Sequence, residues 1–134
     1  MERKNIAFCL MALLLLSLTA GCIQTEEQGA SQEKATIALM YYDANENIIH
    51  EKTFEVEKGS NAFDSMKENI EVDYEMYSGS AFVKGIYGVE TEEGYYLALY
   101  VNGAYADKGI TEYIIDTDMT IEWRTKNIES FGME

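Results

Sequence analysis

Proline is absent from the 134 residues, and the chain holds one histidine, one tryptophan and two cysteines. Turns therefore fall to Gly, Asn, Asp and Ser, which reach turn geometry by positive φ or by bonding their own backbone. His50 has no identifiable serine or cysteine partner, so the parts needed for nucleophilic or general acid–base work are missing and an enzyme is not expected. Carboxylate pairs such as Glu92-Glu93 or Asp116 and Asp118 are unremarkable in so acidic a chain. Basic residues are also scarce: 10 Lys and Arg stand against 24 Asp and Glu, a formal charge of −14. Such a surface disfavours nucleic acid and anionic headgroups, and fits either solubility in a salty environment or attraction of cationic ligands. No phosphate loop or metal cluster is recognisable. Asp43, Asn45 and Asn47 alternate like the start of a calcium loop, but the sixth and twelfth places hold Ile48 and Phe54 instead of glycine and glutamate. A polar hairpin turn is the simpler expectation, and no metal ligands are assigned.

What is present begins with Arg3 and Lys4, an apolar run from Ile6 to Leu18, and Thr19-Ala20-Gly21 ahead of Cys22. This is the layout of an export signal. The run is shorter than the roughly 20 residues of a spanning helix, which favours cleavage. Residues 1–21 resemble a lipoprotein signal peptide with Cys22 as the lipidated N-terminus, although leucine usually stands where Thr19 does. The alternative is an uncleaved N-terminal anchor. Both place the remainder outside the cytoplasm, tied to the outer face of the cytoplasmic membrane. Cleavage removes Cys9, Glu2, Arg3 and Lys4, so the mature part carries 8 basic and 23 acidic residues, or −15, and has no second thiol for a disulfide.

Residues 22–34 are polar and aperiodic, a flexible tether reaching on the order of 20 Å. Residues 35–127 read as one domain and 128–134 as a C-terminal tail. Thr36–Tyr42 and Ile48–Glu57 form a strand hairpin, Ser60 caps a helix that carries Ala62, Phe63, Met66 and Ile70 on one side, and Val72–Tyr77 is extended. Ser78-Gly79-Ser80 marks a loop before Ala81–Tyr87. Tyr95–Val101 closes on Asn102-Gly103, and Met119–Thr125 puts Met119, Ile121 and Trp123 on one face, with Trp123 in the core and Arg124 opposite as a charge partner. The expected class is α+β, β-grasp-like: a strand hairpin, one helix, then further strands packing on it.

Four consecutive blocks, Gly79–Gly88, Tyr95–Gly103, Lys108–Tyr113 and Asp116–Trp123, resemble the transcobalamin-like C-terminal domain family across about Ala35 to Lys126. The resemblance implies a β-grasp domain. In the animal cobalamin carriers such a domain covers one side of the corrinoid while a helical domain, absent here, holds the other. Two places depart from the family pattern: Glu93-Gly94-Tyr95-Tyr96 lacks the tryptophan often found before Tyr-Val-Asn-Gly, and Thr117-Asp118 replaces the usual Gly-Asp.

The candidate ligand site is the Ser78–Gly88 loop with the face of the central strand: Phe82, Tyr87, Tyr95, Tyr96 and Tyr100. Glycines permit close backbone approach, and tyrosines offer flat apolar area with a polar tip. The bland alternative makes Tyr96 and Tyr100 ordinary sheet residues; which of the pairs Phe82/Ile86 and Val83/Tyr87 is core stays open. No cofactor is required. By family analogy, cobalamin or a related tetrapyrrole is the transported ligand of a cell-surface lipoprotein, with a membrane transporter or second binding subunit as partner. The other function class is a non-catalytic envelope protein-interaction or display module without a small ligand.

Overall fold

The computed structural model describes residues 31–131, which hold ten β-strands and one α-helix, an α+β architecture. The leader at 1–21, Cys22 and most of the tether lie outside the described residues, as do 132–134. Strand β1 (Lys34–Tyr42) buries Ala35, Ile37, Leu39 and Tyr41 and leaves the intervening residues at least partly exposed, the two-residue period of a sheet with one face on a core. It returns as β2 (Ile48–Glu57) through the expected polar turn, where Asp43 Oδ1 accepts the backbone N–H groups of Asn45 and Asn47 at 2.8 and 2.9 Å. These bonds, Asn47's foremost, hold the Asp43 carboxyl below its ordinary pKa.

Strand β3 (Ser60–Asn61) leads into helix α1 (Ala62–Asn69). The cap lies one residue later than expected: Asn61 Oδ1 accepts from the N–H groups of Phe63 and Asp64 at 3.0 and 3.2 Å. Ser60 is taken up elsewhere, pairing with Ile115 of β9 (Ile114–Ile115) and donating its hydroxyl to the Glu57 carbonyl at 2.6 Å. The predicted helix face is correct, since Ala62, Phe63, Met66 and Ile70 are all buried.

Strands β4 (Val72–Tyr77), β5 (Ser80–Ile86) and β6 (Val89–Glu90) form a three-stranded antiparallel sheet. Ser78 and Gly79 both have positive φ, 50° and 83°, as the two-residue hairpin between β4 and β5 requires. In the other large sheet, β7 (Tyr95–Val101), β8 (Ala104–Tyr105) and β10 (Met119–Asn127) join the first hairpin in the order β2-β1-β10-β7-β8. β1 and β10 run parallel at its centre, and the remaining pairs are antiparallel.

Ile37, Leu39, Ile121 and Trp123 on one face of this sheet meet Phe63 and Met66 of the helix and Val83 and Ile86 of β5 in one core. Each such side chain contributes about 1.5–3 kcal/mol on burial. Neither alternating pair on β5 is the core pair: Val83 and Ile86 are buried, whereas Phe82 is exposed and Tyr87 half-buried. A bulge explains this. Asp73 pairs with Gly85 and Tyr74 with Val83, so Lys84 is an extra residue on β5 and inverts the side-chain parity beyond it. The chain then turns at Tyr87-Gly88, both at positive φ.

Candidate functional site

The five-stranded sheet has a second face, built from the residues that alternate with the core. Met40 and Tyr42 of β1, Glu122 and Arg124 of β10, and Tyr96, Ala98 and Tyr100 of β7 share it by register: Met40 lies opposite Glu122, Tyr42 opposite Arg124, and Tyr100 opposite both Glu122 and Tyr105. None of them belongs to the main core cluster, although Ala98 and Tyr100 are themselves buried, 2% and 9% exposed, and Tyr42, Tyr96 and Arg124 are half-buried. They stack on one another. The Arg124 guanidinium lies 4.9 Å from the Tyr42 ring centroid and 4.5 Å from that of Tyr100, and Tyr100 meets Tyr105 edge-on at 5.5 Å.

The guanidinium is pinned from within. Glu122 is only 6% exposed and accepts from Arg124 Nε at 2.8 Å and Nη2 at 2.5 Å, both on the same carboxylate oxygen. That bonding raises the Arg124 pKa further above its ordinary value. A row of rings and one hydrogen-bonded cation thus paves the face. Such a surface can receive a flat, partly apolar molecule bearing hydrogen-bond acceptors.

Beside this face, where β7 passes β5, lies a cleft of about 190 Å³. Three successive residues of β5, Ala81 to Val83, form one wall and four of β7, Tyr96 to Leu99, the other, with Trp123 and Ile110 also in the lining. Phe131 meets Tyr96 edge-on at 5.4 Å and contributes to the same cleft. Trp123 is 4% exposed, and its indole nitrogen is the one buried side-chain polar atom without a hydrogen-bond partner among the described residues. Ordinarily such a donor finds an acceptor.

The five residues singled out from the sequence are not one site. Tyr96 and Tyr100 share the paved face, and Phe82 joins Tyr96 at the cleft. Tyr87 sits on the other side of the sheet, its ring 4.7 Å from that of His50, which also stacks on Tyr41. Tyr95 lines a separate cavity of about 310 Å³ with Tyr41, Asp43, Glu90 and Glu92. The strand's two-residue period separates Tyr95 from Tyr96, and the β5 bulge separates Tyr87 from Phe82. Sequence reasoning passed over Tyr42 and Tyr105. The signal for Tyr42 was available, because it and Arg124 occupy the non-core phase of their strands.

Among the described residues no three His, Cys, Asp or Glu side chains are placed to hold a metal ion, and no helix is long and apolar enough to cross a membrane. The family model described as Domain of unknown function (DUF4430) matches residues 59–127, from the end of the first hairpin through the last strand. The chain belongs to the DUF4430 family. No curated protein sequence matches it. In fold, this DUF4430 chain is similar to a "putative metal binding protein" from Ruminococcus gnavus ATCC 29149, at a TM-score of 0.56 and 13% identity over 69% of this chain and 97% of that one. It is also similar to haptocorrin in complex with Cbi, at a TM-score of 0.55 and 18% identity over 72% of this chain and 26% of haptocorrin. These likenesses establish a fold related to the matched part of haptocorrin.

Proposed function

We propose that this DUF4430 protein is a non-catalytic, β-grasp-type binding domain, lipid-anchored through Cys22 to the outer face of the cytoplasmic membrane, that presents a small planar ligand to a membrane transporter or second binding subunit. The β-grasp reading draws on the parallel pairing of first and last strands with one helix on the core side. A corrinoid or related tetrapyrrole is the favoured ligand. The observation that carries the reading is the paved face: Tyr42, Arg124, Tyr100 and Tyr105 in continuous ring contact, with Arg124 held by Glu122. The fold shared with haptocorrin, whose structure holds Cbi, supports the choice of ring. A single sheet face covers one side of a ring, so a lone domain binds weakly and a second body is needed for the other side.

The test is the visible absorbance of the purified protein after incubation with cobinamide, cobalamin and haem, followed by titration calorimetry. Tyr100→Ala and Tyr96→Ala are expected to weaken uptake about fivefold or more each, the loss typical of a tyrosine anchor. A second reading, a protein-interaction or display module without a small ligand, draws on the exposed Met76, Tyr77 and Phe82 of the β4–β5 hairpin. No uptake at high ligand concentration would leave that reading standing and remove the first.

A further inference from the structure

Lys108 stands apart from the other cations of this acidic chain. Among the described residues Lys34, Lys58, Lys67, Lys84, Arg124 and Lys126 each reach a carboxylate within 3.8 Å, and Lys52 donates to the Asn69 carbonyl at 2.6 Å. Lys108 makes neither kind of contact there. Its ammonium lies over the Tyr113 ring, 4.5 Å from the centroid, while the adjoining Asp107 accepts from the Tyr113 hydroxyl at 3.4 Å.

The same lysine lines the cleft beside β7 and is the only charged residue in that lining. The remaining lining is aromatic or apolar, and Phe82, Tyr96, Tyr105, Trp123 and Phe131 supply its rings. Phe82 and Phe131 leave 49% and 69% of their surface exposed, apolar area that an occupant of the cleft would cover. Trp123 brings a second donor, the buried indole N–H that has no acceptor among the described residues and whose desolvation is therefore not offset within them.

Size narrows the occupant. Strands β5 and β7 approach to within 8 Å between Cα atoms, so the cleft is a slot with no room for a further strand. Its volume, about 190 Å³, is below the roughly 300–1,000 Å³ of sites for drug-sized ligands and close to the roughly 150 Å³ of a cavity that takes one benzene ring. A tetrapyrrole does not fit, which separates this site from the ring-binding reading of the paved face.

We propose that the cleft binds a single-ring aromatic carboxylate with a second acceptor on its ring. The carboxylate meets the Lys108 ammonium in a charge-assisted bond, the ring packs edge-on or offset among the aromatic side chains, and the second acceptor takes the Trp123 indole N–H. No carboxylate in the lining opposes an anion, and exposed charges more than about 8 Å away are largely screened at physiological ionic strength, so the net charge of the chain does not exclude it.

The full-length protein in detergent, labelled with nitrogen-15 at tryptophan, gives one indole N–H resonance because the chain has one tryptophan. It is titrated with para-methoxybenzoate, para-ethylbenzoate and para-methoxybenzylamine; the second keeps size and charge but lacks the ring acceptor, and the third keeps the acceptor and reverses the charge. para-Methoxybenzoate should bind with a Kd on the order of 0.1–1 mM, as expected for a ligand of about eleven heavy atoms, and move the indole proton downfield as it enters a hydrogen bond. The ethyl compound should bind roughly threefold to tenfold more weakly, and the amine at least about tenfold more weakly. Lys108→Gln, at an exposed position, should leave the thermal melt unchanged and remove the preference for acid over amine. The proposal is overturned if the indole resonance stays fixed up to roughly 10 mM para-methoxybenzoate, if the methoxy and ethyl compounds bind equally well, or if Lys108→Gln keeps the parent's ratio of acid to amine affinity.

Discussion

Replacing Arg124 by Met is expected to destabilise the protein more than replacing its partner Glu122 by Gln, although both changes break the same ion pair. The asymmetry follows from burial. The Glu122 side chain is 9% exposed and that of Arg124 27%, so a guanidinium left alone can turn toward water whereas the carboxylate cannot. Stranding a buried charge costs about 3–5 kcal/mol, which sets the Arg124→Met value. Glu122→Gln keeps an acceptor in place and gives up the charge assistance, about 1–2 kcal/mol. For a domain of this size the larger figure moves the urea midpoint by roughly 2–3 M.

The pH dependence separates this argument from lost packing. In Arg124→Met the carboxylate is left buried without its cation, and burial disfavours the charged form, so the penalty is largest at neutral pH and shrinks in acid. Urea titrations of parent, both single variants and the double variant at pH 7 and pH 4 provide the assay. The double variant should recover most of the loss at pH 7, because no charge remains buried. Equal penalties for the two single changes, or an Arg124→Met penalty that is the same at both pH values, would refute the reasoning.

Further expectations concern the elements that hold the faces in place. Asn61→Ala removes the cap of α1 and the bond from Asn61 Nδ2 to the Thr111 carbonyl at 2.7 Å, and should lower stability by about 1–2 kcal/mol in thermal melts. Gly85→Ala would put a Cβ 2.8 Å from the Val89 carbonyl oxygen and 3.1 Å from Glu90 Cα, backbone atoms that cannot swing aside, so a cost of about 1–3 kcal/mol and a displaced β6 are expected by melts and amide shifts. Glu75 accepts from the Tyr77 hydroxyl and from Lys84 Nζ, which lowers its pKa, the tyrosine bond foremost. Its contribution to the β4–β5 hairpin is present above the unfolded value and lost as pH falls through the lower folded one, below the ordinary 4.5; carboxyl NMR that finds Glu75 titrating at 4.5 would contradict this.

The strands were legible wherever a two-residue period met a turn residue. Ala35 to Tyr41 and Met119 to Trp123 announce their buried faces, and Asp43 to Asn47 and Asn102-Gly103 announce their turns. The helix face was equally clear, but its cap was not: Ser60 and Asn61 are both good caps, and only the long-range pairing of Ser60 with Ile115 decides between them. The site was less legible for a related reason. Alternation along β7 says that Tyr96 and Tyr100 share a face, yet it cannot reveal that β1 supplies Tyr42 and β10 supplies Arg124 to that face. Those neighbours are about 80 residues apart in the chain and meet through the parallel β1–β10 register. On β5 the period itself fails, because the bulge at Lys84 depends on the partner strand β4.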